Sequence, residues 1–290
     1  MLSIKTTDIE PTKLYGYLNH AVAPRPICFV STINAQGQVN LSPYSFFNMV
    51  STNPPVCVFS PSNTSNNEPK HALQNVQEVP ECVINLVSYP MVQQMNVASA
   101  QFDKGVNEFV KAGFTELPSD MVKPPRVAEA PVQLECVVTQ IIPLGNQPNS
   151  GNLVVAEIKV THIQDNVLDA HGRMDQTKLD LVGRLGADWY CRTTPECLFK
   201  VRRPIKSIGI DDLPAFIRNS DVLSGNDLGM LANIEQLPSK EEVEAFASQA
   251  SIAPLLQQND TAIFQQAKQW LNESKVDEAR LLLLSSGANL

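Results

Sequence analysis

Short, mainly apolar stretches separated by polar turn and loop residues recur in the first two thirds of the chain, and this pattern predicts β-strands. Strands are expected at residues 26–33, 39–47, 56–60, 82–87, 132–144 and 153–164, with a last short one at 198–201. Residues 35–38 supply a turn between the first two strands, which therefore form a hairpin. Helices are predicted between the strands at residues 11–19, 70–79, 91–100 and 107–112.

The pattern changes to helical after Pro204. Ser239 and Glu242 have the spacing of a capping box, and periodic helices are expected at residues 262–271 and 276–284. Strands followed by helices predict a mainly β protein with added helices, in which an antiparallel barrel carries a helical extension, and not a doubly wound parallel sheet. The expected domains are residues 1–204 and residues 205–290.

Charge is unevenly distributed along the 290 residues. The 22 basic and 30 acidic side chains give a net charge of -8, to which residues 205–290 contribute -6 (6 basic, 12 acidic). This balance argues against a nucleic-acid partner, which a basic patch would serve better. No run approaches the ~18 apolar residues of a membrane span, and the first 19 residues lack the apolar core of a signal peptide. Six scattered cysteines without a Cys-x-x-Cys pair predict free thiols in a reducing cytoplasm.

The common signatures of catalysis are absent from the sequence. There is no Gly-x-Gly-x-x-Gly, no Gly-x-x-x-x-Gly-Lys phosphate loop and no Gly-x-Ser-x-Gly elbow. The four histidines lack metal-ligand spacing, so no metal is expected. A Cys–His pair brought together by the fold stays open, although no local pattern favours one.

Three segments have residues suited to holding a cofactor. Residues 40–48 combine hydroxyls, amides and aromatic rings that suit a flavin edge and face, yet they also fit a strand that ends in a Ser-Pro turn. Residues 60–71 offer hydroxyls followed by Lys70 and His71 at a helix start, which suits a phosphate or a plain solvated loop. Residues 183–190 place two glycines beside Trp189 and Tyr190, which suits a stacking site or a turn with core aromatics.

Taken in order, these segments resemble the flavin reductase-like family of FMN-binding split barrels, over about residues 10–203. The match is carried by Pro24-Arg25-Pro26-Ile27 with Val30-Ser31-Thr32, by Asn40 through Asn48, by Gly105-Val106-Asn107-Glu108-Phe109, by Ala112-Gly113-Phe114-Thr115, by Lys123 through Glu129 and by Gly183 through Tyr190. The long members of the family, which include flavoredoxin and the reductase component of nitrilotriacetate monooxygenase, are the most similar in pattern.

The resemblance implies a Greek-key split barrel that forms a homodimer and binds FMN near the subunit interface. The cofactor-binding residues that it implies are Arg25, Ser31, Thr32, Ser42, Pro43, Tyr44, Ser45, Phe46, Asn48, Ser60, Ser62, Lys70, His71, Trp189 and Tyr190. The usual phosphate motif of the family, Lys/Arg-Asp-Thr, is here Lys70-His71-Ala72, in which His71 offers a replacement donor.

The leading functional hypothesis is an FMN-binding flavoprotein that takes electrons from NAD(P)H and passes them to a monooxygenase or another redox-protein acceptor. The flavin does the chemistry, so no catalytic side chain is expected. Two alternatives stand beside it. One is a flavoredoxin-like electron carrier without its own nicotinamide site, and the other is an interaction protein that acts through its helical tail.

Overall fold

The strands of the described residues all lie within the first 198 residues and pair antiparallel. The computed structural model describes residues 1–287, which form two compact units that meet in the chain between Leu198 and Phe199. The strands are β1 (Arg25–Pro26), β2 (Cys28–Ile33), β3 (Val39–Tyr44), β4 (Phe47–Thr52), β5 (Pro55–Phe59), β6 (Glu81–Leu86), β7 (Glu116–Leu117), β8 (Arg126–Val127), β9 (Val132–Pro143), β10 (Asn152–Ile163), β11 (Val182–Arg184) and β12 (Tyr190–Arg192).

Seven of these strands form one antiparallel sheet in the order β3-β2-β6-β9-β10-β5-β4. Its two longest strands, β9 and β10, have 12 residues each, and their pairing shifts register at Val155/Ala156 and at Ile158/Val160. Bulges of this kind bend and twist a strand, which lets a long sheet curl around its own core. Two small sheets, β1-β11-β12 and β7-β8, complete the first unit.

Along the chain of the first unit, one α-helix precedes the first strand and four others lie between later strands. The first unit contains α1 (Pro11–Ala21), α2 (His71–Glu78), α3 (Val92–Ala98), α4 (Glu108–Ala112) and α5 (Gln176–Leu179). Helix α2 buries Ala72, Leu73 and Val76 in the barrel core, together with Phe59 and Ile84. Helix α4 ends at Gly113, whose φ of 71° is the left-handed conformation that glycine adopts readily, as predicted.

The second unit is helical. Its helices are α6 (Ala215–Arg218), α7 (Gly225–Ala232), α8 (Lys240–Ala247), α9 (Ala253–Leu256), α10 (Asp260–Asn272) and α11 (Val276–Gly287). The predicted capping box at Ser239 and Glu242 is confirmed, because each residue's side chain accepts from the backbone N–H of the other. The predicted architecture, mainly β with added helices and a C-terminal helical extension, is therefore confirmed for the described residues.

Two of the predicted strands are wrong in detail. Residues 39–47 do not form one strand, because the chain bends at Ser45 and Phe46 and continues as β4 on the opposite edge of the sheet. Residues 198–201 form no strand, and the apolar side chains of Phe199 and Val201 are 86% and 77% exposed. The short strands β1, β11 and β12 were not predicted, because two or three residues are too few to show a period.

No helix among residues 1–287 is long and apolar enough to cross a membrane.

Candidate functional site

Strand β3 lines a groove of about 360 Å³ with the side chains that alternate onto one of its faces. Asn40, Ser42 and Tyr44 lie on this face, at every second position. The remaining walls come from the β3 end, the loop before α2, α2 itself, the segment after α3, and the start of α4: Pro43, Thr64, Glu68, Pro69, Lys70, His71, Gln74, Ala98, Ser99, Ala100, Gln101, Phe102 and Glu108. The groove thus joins two of the three segments that the sequence singled out.

One end of the groove suits an anion. Lys70 is the N-cap residue of α2, and no side chain caps the free N–H groups of this eight-residue helix. The first turn contains no acidic residue, and Lys70 and His71 both line the groove. Free backbone N–H groups, the positive end of the helix dipole and two basic side chains together offer a place for a phosphate.

A second feature of the groove is an unsatisfied hydroxyl. Tyr44 is 7% exposed, its ring lies 5.3 Å from that of Phe59, and its hydroxyl has no hydrogen-bond partner among residues 1–287. Burial raises the pKa of the Tyr44 hydroxyl and the neighbouring Ser42 side chain opposes that rise, so the tyrosine stays protonated at neutral pH. An unsatisfied donor of this kind in a groove wall fits a ligand that brings an acceptor oxygen.

Glu108 is a groove residue to which sequence analysis gave no role. Its carboxylate is 4% exposed and accepts from Asn40 Nδ2 at 2.7 Å and from the Leu41 N–H at 2.9 Å. Burial raises the pKa of the Glu108 carboxyl, and the two hydrogen bonds oppose that rise. In the sequence, Glu108 stands out only as part of the Gly-x-Asn-Glu-Phe motif. The motif does not predict its hydrogen-bond partner, because Asn40 is 68 residues away in the chain.

Ser45, Phe46 and Asn48 lie where the chain leaves β3 for β4, and none of them lines the groove. Phe46 is 46% exposed, and Asn48 lines a separate, mainly apolar cavity of about 730 Å³. Phe46 therefore does not belong to the core. An exposed ring beside the end of β3 is free to cover a ligand.

Arg25, Ser31 and Thr32 are buried outside the groove, and Arg25 lines the apolar cavity of about 730 Å³ together with Asn48. Arg25 donates to the carbonyl groups of Asn19, Val22 and Leu185, and its guanidinium lies 5.9 Å from the ring centroid of Phe46. Ser31 donates to a backbone carbonyl, and the Thr32 hydroxyl accepts from a buried Asn75 amide at 3.0 Å. The structure does not bring these three side chains to the groove.

Ser60 and Ser62 also lie outside the groove. The Ser60 N–H donates to the Phe46 carbonyl at 2.9 Å, and Ser62 forms an isolated bridge with Gly151. Both residues therefore fix the loop that leads to Lys70 and do not face its cavity. Thr64, which does line the groove, accepts from the Glu68 N–H at 3.0 Å and stiffens the same loop.

Tyr190 lines a third cavity, of about 390 Å³, beside β11 and β12, and the neighbouring Trp189 lines neither this cavity nor the groove. Trp189 is 71% exposed, and Tyr190 is half-buried under the Arg184 guanidinium, which lies 4.5 Å from the ring centroid. Gly183 permits a close approach, since a Cβ there would lie 2.9 Å from Cys191 Sγ. The structure therefore separates the third predicted segment from the groove within this chain.

A cluster of possible metal ligands, which the histidine spacing did not indicate, is formed by Asp120, Glu135 and His162, whose ligand atoms lie within 4.8 Å of one another. The buried Glu135 carboxylate accepts from the N–H groups of Asp120, Met121 and Val122, and it contacts His162 Nε2 at 2.7 Å. Burial raises the pKa of Glu135, but these hydrogen bonds outweigh burial and hold the pKa below its usual range. The carboxylate oxygens of Glu135 are thus already used as acceptors inside the protein, where they hold the backbone of residues 120–122.

The fold and groove were compared with known proteins. A family model described as "Flavin reductase like domain" matches residues 20–178, which is more than half of the chain. The chain belongs to the flavin reductase-like family. An uncharacterized protein of Aquifex aeolicus is 36% identical over 198 residues, which cover 68% of this chain and 98% of that protein.

Solved structures agree with this family assignment. Nitrilotriacetate monooxygenase component B from Bacillus cereus is similar with a TM-score of 0.65 and 28% identity, covering 69% of this chain and 98% of that one. Flavoredoxin of Desulfovibrio vulgaris covers 62% of this chain and 91% of its own, with a TM-score of 0.52. At 18% identity this second likeness bears on the fold alone. The resemblance read from the sequence motifs, and the split-barrel fold that it implied, are confirmed, and the family supports a flavin-binding, reductase-type function.

Proposed function

We propose that the protein is an FMN-binding oxidoreductase that accepts electrons from NAD(P)H. The observation that carries the proposal is the groove itself, which is lined by an uncapped helix N-terminus with Lys70 and His71 and also by Tyr44, whose hydroxyl is unsatisfied. A phosphate at the helix and a flavin ring against β3 would satisfy both features at once.

The residues of this chain then have separate roles in the proposed site. Lys70, His71 and the first N–H groups of α2 hold the phosphate, and His71 takes the place of the acid and hydroxyl of the usual family motif. Ser42 and Tyr44 bond polar atoms of the flavin, and Phe46 covers it from the bend after β3. Arg25, Ser31 and Thr32 do not line the groove, and their hydrogen bonds hold other groups of the first unit.

When bound, FMN supplies the chemistry that links a two-electron donor to an acceptor. The protein binds and orients it and keeps water from its buried edge. No side chain of the groove is required as an acid or a base, because Glu108 is committed to Asn40 and Leu41.

We propose further that the active form is a homodimer. Edge strand β4 leaves Met49 and Val50 56% and 58% exposed, and the mainly apolar cavity of about 730 Å³ lies beside it. An exposed apolar edge of this kind favours association. The bacterial relative named as a monooxygenase component suggests the acceptor class, a monooxygenase or another redox protein. The six free cysteines support a cytoplasmic location.

The domain division proposed here assigns the chemistry to residues 1–204 and a supporting role to residues 205–290. All the groove residues precede the second unit, and the Aquifex aeolicus relative matches 198 residues over 98% of its own length. A family member therefore does without an extension of this size.

The test is a visible spectrum of the purified protein with added FMN, followed by anaerobic addition of NADH or NADPH. Bound flavin that bleaches on addition supports the proposal. Bound flavin that stays oxidised with both nucleotides refutes the nicotinamide part and leaves an electron carrier. Absence of binding at 1 mM FMN, about a thousandfold above a micromolar Kd, refutes the flavin site.

A further inference from the structure

The groove contains a chain of hydrogen bonds that runs from Glu108 to Ser42. Asn40 Nδ2 donates to Glu108 Oε1 at 2.7 Å, and Ser42 Oγ donates to Asn40 Oδ1 at 3.2 Å. The second oxygen of Glu108 accepts from the Leu41 N–H at 2.9 Å. Asn40 and Glu108 are 5% and 4% exposed, so water does not compete for these bonds.

The direction of the chain is set by the carboxylate. An ionised carboxylate only accepts hydrogen bonds, and both neighbours of Glu108 are donors. Rotating the Asn40 amide by half a turn would place its carbonyl oxygen against a carboxylate oxygen, which is repulsive. The Nδ2 atom of Asn40 must therefore face Glu108, and its carbonyl must face Ser42. The Ser42 hydroxyl then donates its single hydrogen to Asn40 Oδ1.

We propose that Glu108 is a positioning residue that acts through Asn40 and makes Ser42 Oγ a hydrogen-bond acceptor toward the groove. Ser42 lines the groove and is half-buried, so its lone pairs are available to a ligand. The groove therefore selects a ligand group that donates at this point, a hydroxyl or an N–H. The inference rests on the proposed function in one respect, that the ligand is a flavin, whose ribityl hydroxyls and ring N–H are such donors.

Replacing Glu108 by Gln reverses the donor-to-acceptor direction of these hydrogen bonds and keeps the number of heavy atoms unchanged. The carbonyl oxygen of the introduced glutamine still accepts from the Leu41 N–H, but its Nε2 now needs an acceptor, and Asn40 supplies one by turning its amide. Asn40 then donates to Ser42, whose hydroxyl hydrogen points into the groove. We expect E108Q to stay folded and to bind FMN about tenfold more weakly than the wild type at pH 8, because a donor now meets a donor.

A matched second variant restores the direction. In N40D/E108Q, the introduced aspartate carboxylate accepts from both the introduced glutamine and Ser42, and one negative charge is kept as in the wild type. We expect its FMN Kd to return to within about threefold of the wild-type value. S42A removes the hydroxyl that faces the ligand and should weaken FMN binding about tenfold. The double variant E108Q/S42A should bind FMN no more weakly than S42A. A purely structural role of Glu108 predicts neither the rescue nor the loss of additivity.

Melting temperatures without ligand test the same chain independently of flavin. In N40D two carboxylates face each other, so its Tm should fall by more than about 5 °C, while E108Q and N40D/E108Q should melt close to the wild type. The proposal is overturned if E108Q binds FMN like the wild type, if the E108Q and S42A losses add, or if N40D/E108Q melts as low as N40D. Failure of the wild type to bind FMN rejects the proposed function, and the melting series alone then decides the direction of the chain.

Discussion

Tyr44 gives a prediction in which stability and ligand affinity move in opposite directions. Its hydroxyl is buried without a hydrogen-bond partner among residues 1–287, which costs the ligand-free protein about 1–3 kcal/mol. Replacing Tyr44 by Phe removes that cost and leaves the ring in contact with Phe59. We expect Y44F to stabilise the ligand-free protein by about 1–2 kcal/mol, a rise in Tm of about 3–6 °C for a unit of this size.

The same change should weaken FMN binding, because the flavin no longer gains a donor. A loss of about 1–2 kcal/mol corresponds to a Kd about fivefold to thirtyfold higher. Thermal unfolding without ligand and quenching of FMN fluorescence measure the two effects. Y190F is the control, since the Tyr190 hydroxyl accepts from Arg184 and its removal should lower the Tm. A lower Tm for Y44F, or an unchanged FMN Kd, would refute the reasoning.

Three further predictions test the rest of the molecule. K70Q should raise the FMN Kd at least about tenfold and reduce its salt dependence, whereas the exposed K123Q should change neither in the same fluorescence titration. E135Q should lose about 2–4 kcal/mol in denaturant unfolding at pH 7. Because the folded pKa of Glu135 lies below its unfolded value of 4.5, the stability difference between the wild type and E135Q is present above pH 4.5. It should vanish as pH falls through the folded pKa. A difference that stays constant with pH would contradict the lowered pKa of Glu135. A chain ending at Pro204 should bind FMN like the full protein, and loss of binding in a folded truncation would show that the extension takes part.

The strand pattern of the barrel was readable from the sequence wherever a strand was long. The alternation in residues 132–144 and 153–164 predicted β9 and β10 closely, because one face of each must be buried. The bend after Tyr44 was missed, since aromatic residues typical of strands continue to Phe47 and only the sheet order places β4 on the far edge. Residues 198–201 have a strand-like composition but no neighbouring strand among residues 1–287, so they stay irregular.

The candidate site was only partly readable. Ser42, Pro43, Tyr44, Lys70 and His71 line one groove, as their two segments predicted. Arg25, Ser31 and Thr32 belong to the opening motif of the resemblance, but their side chains bond backbone carbonyl groups or the buried Asn75 amide, contacts between distant segments that no local pattern indicates. The segment that ends in Trp189 and Tyr190 lies at a separate cavity.

The sequence by itself determined the family, the mainly β architecture with its helical extension, and the chemical types of residue in the proposed flavin site. These properties follow from local periodicity and from ordered motifs, which neighbouring residues in the chain express. Tertiary structure alone decided that Glu108 bonds Asn40 across 68 residues and that the Tyr44 hydroxyl is left without a partner among residues 1–287. The physical reason is that hydrogen bonds between distant segments, and the burial that makes them count, exist only after the sheet has closed around its core.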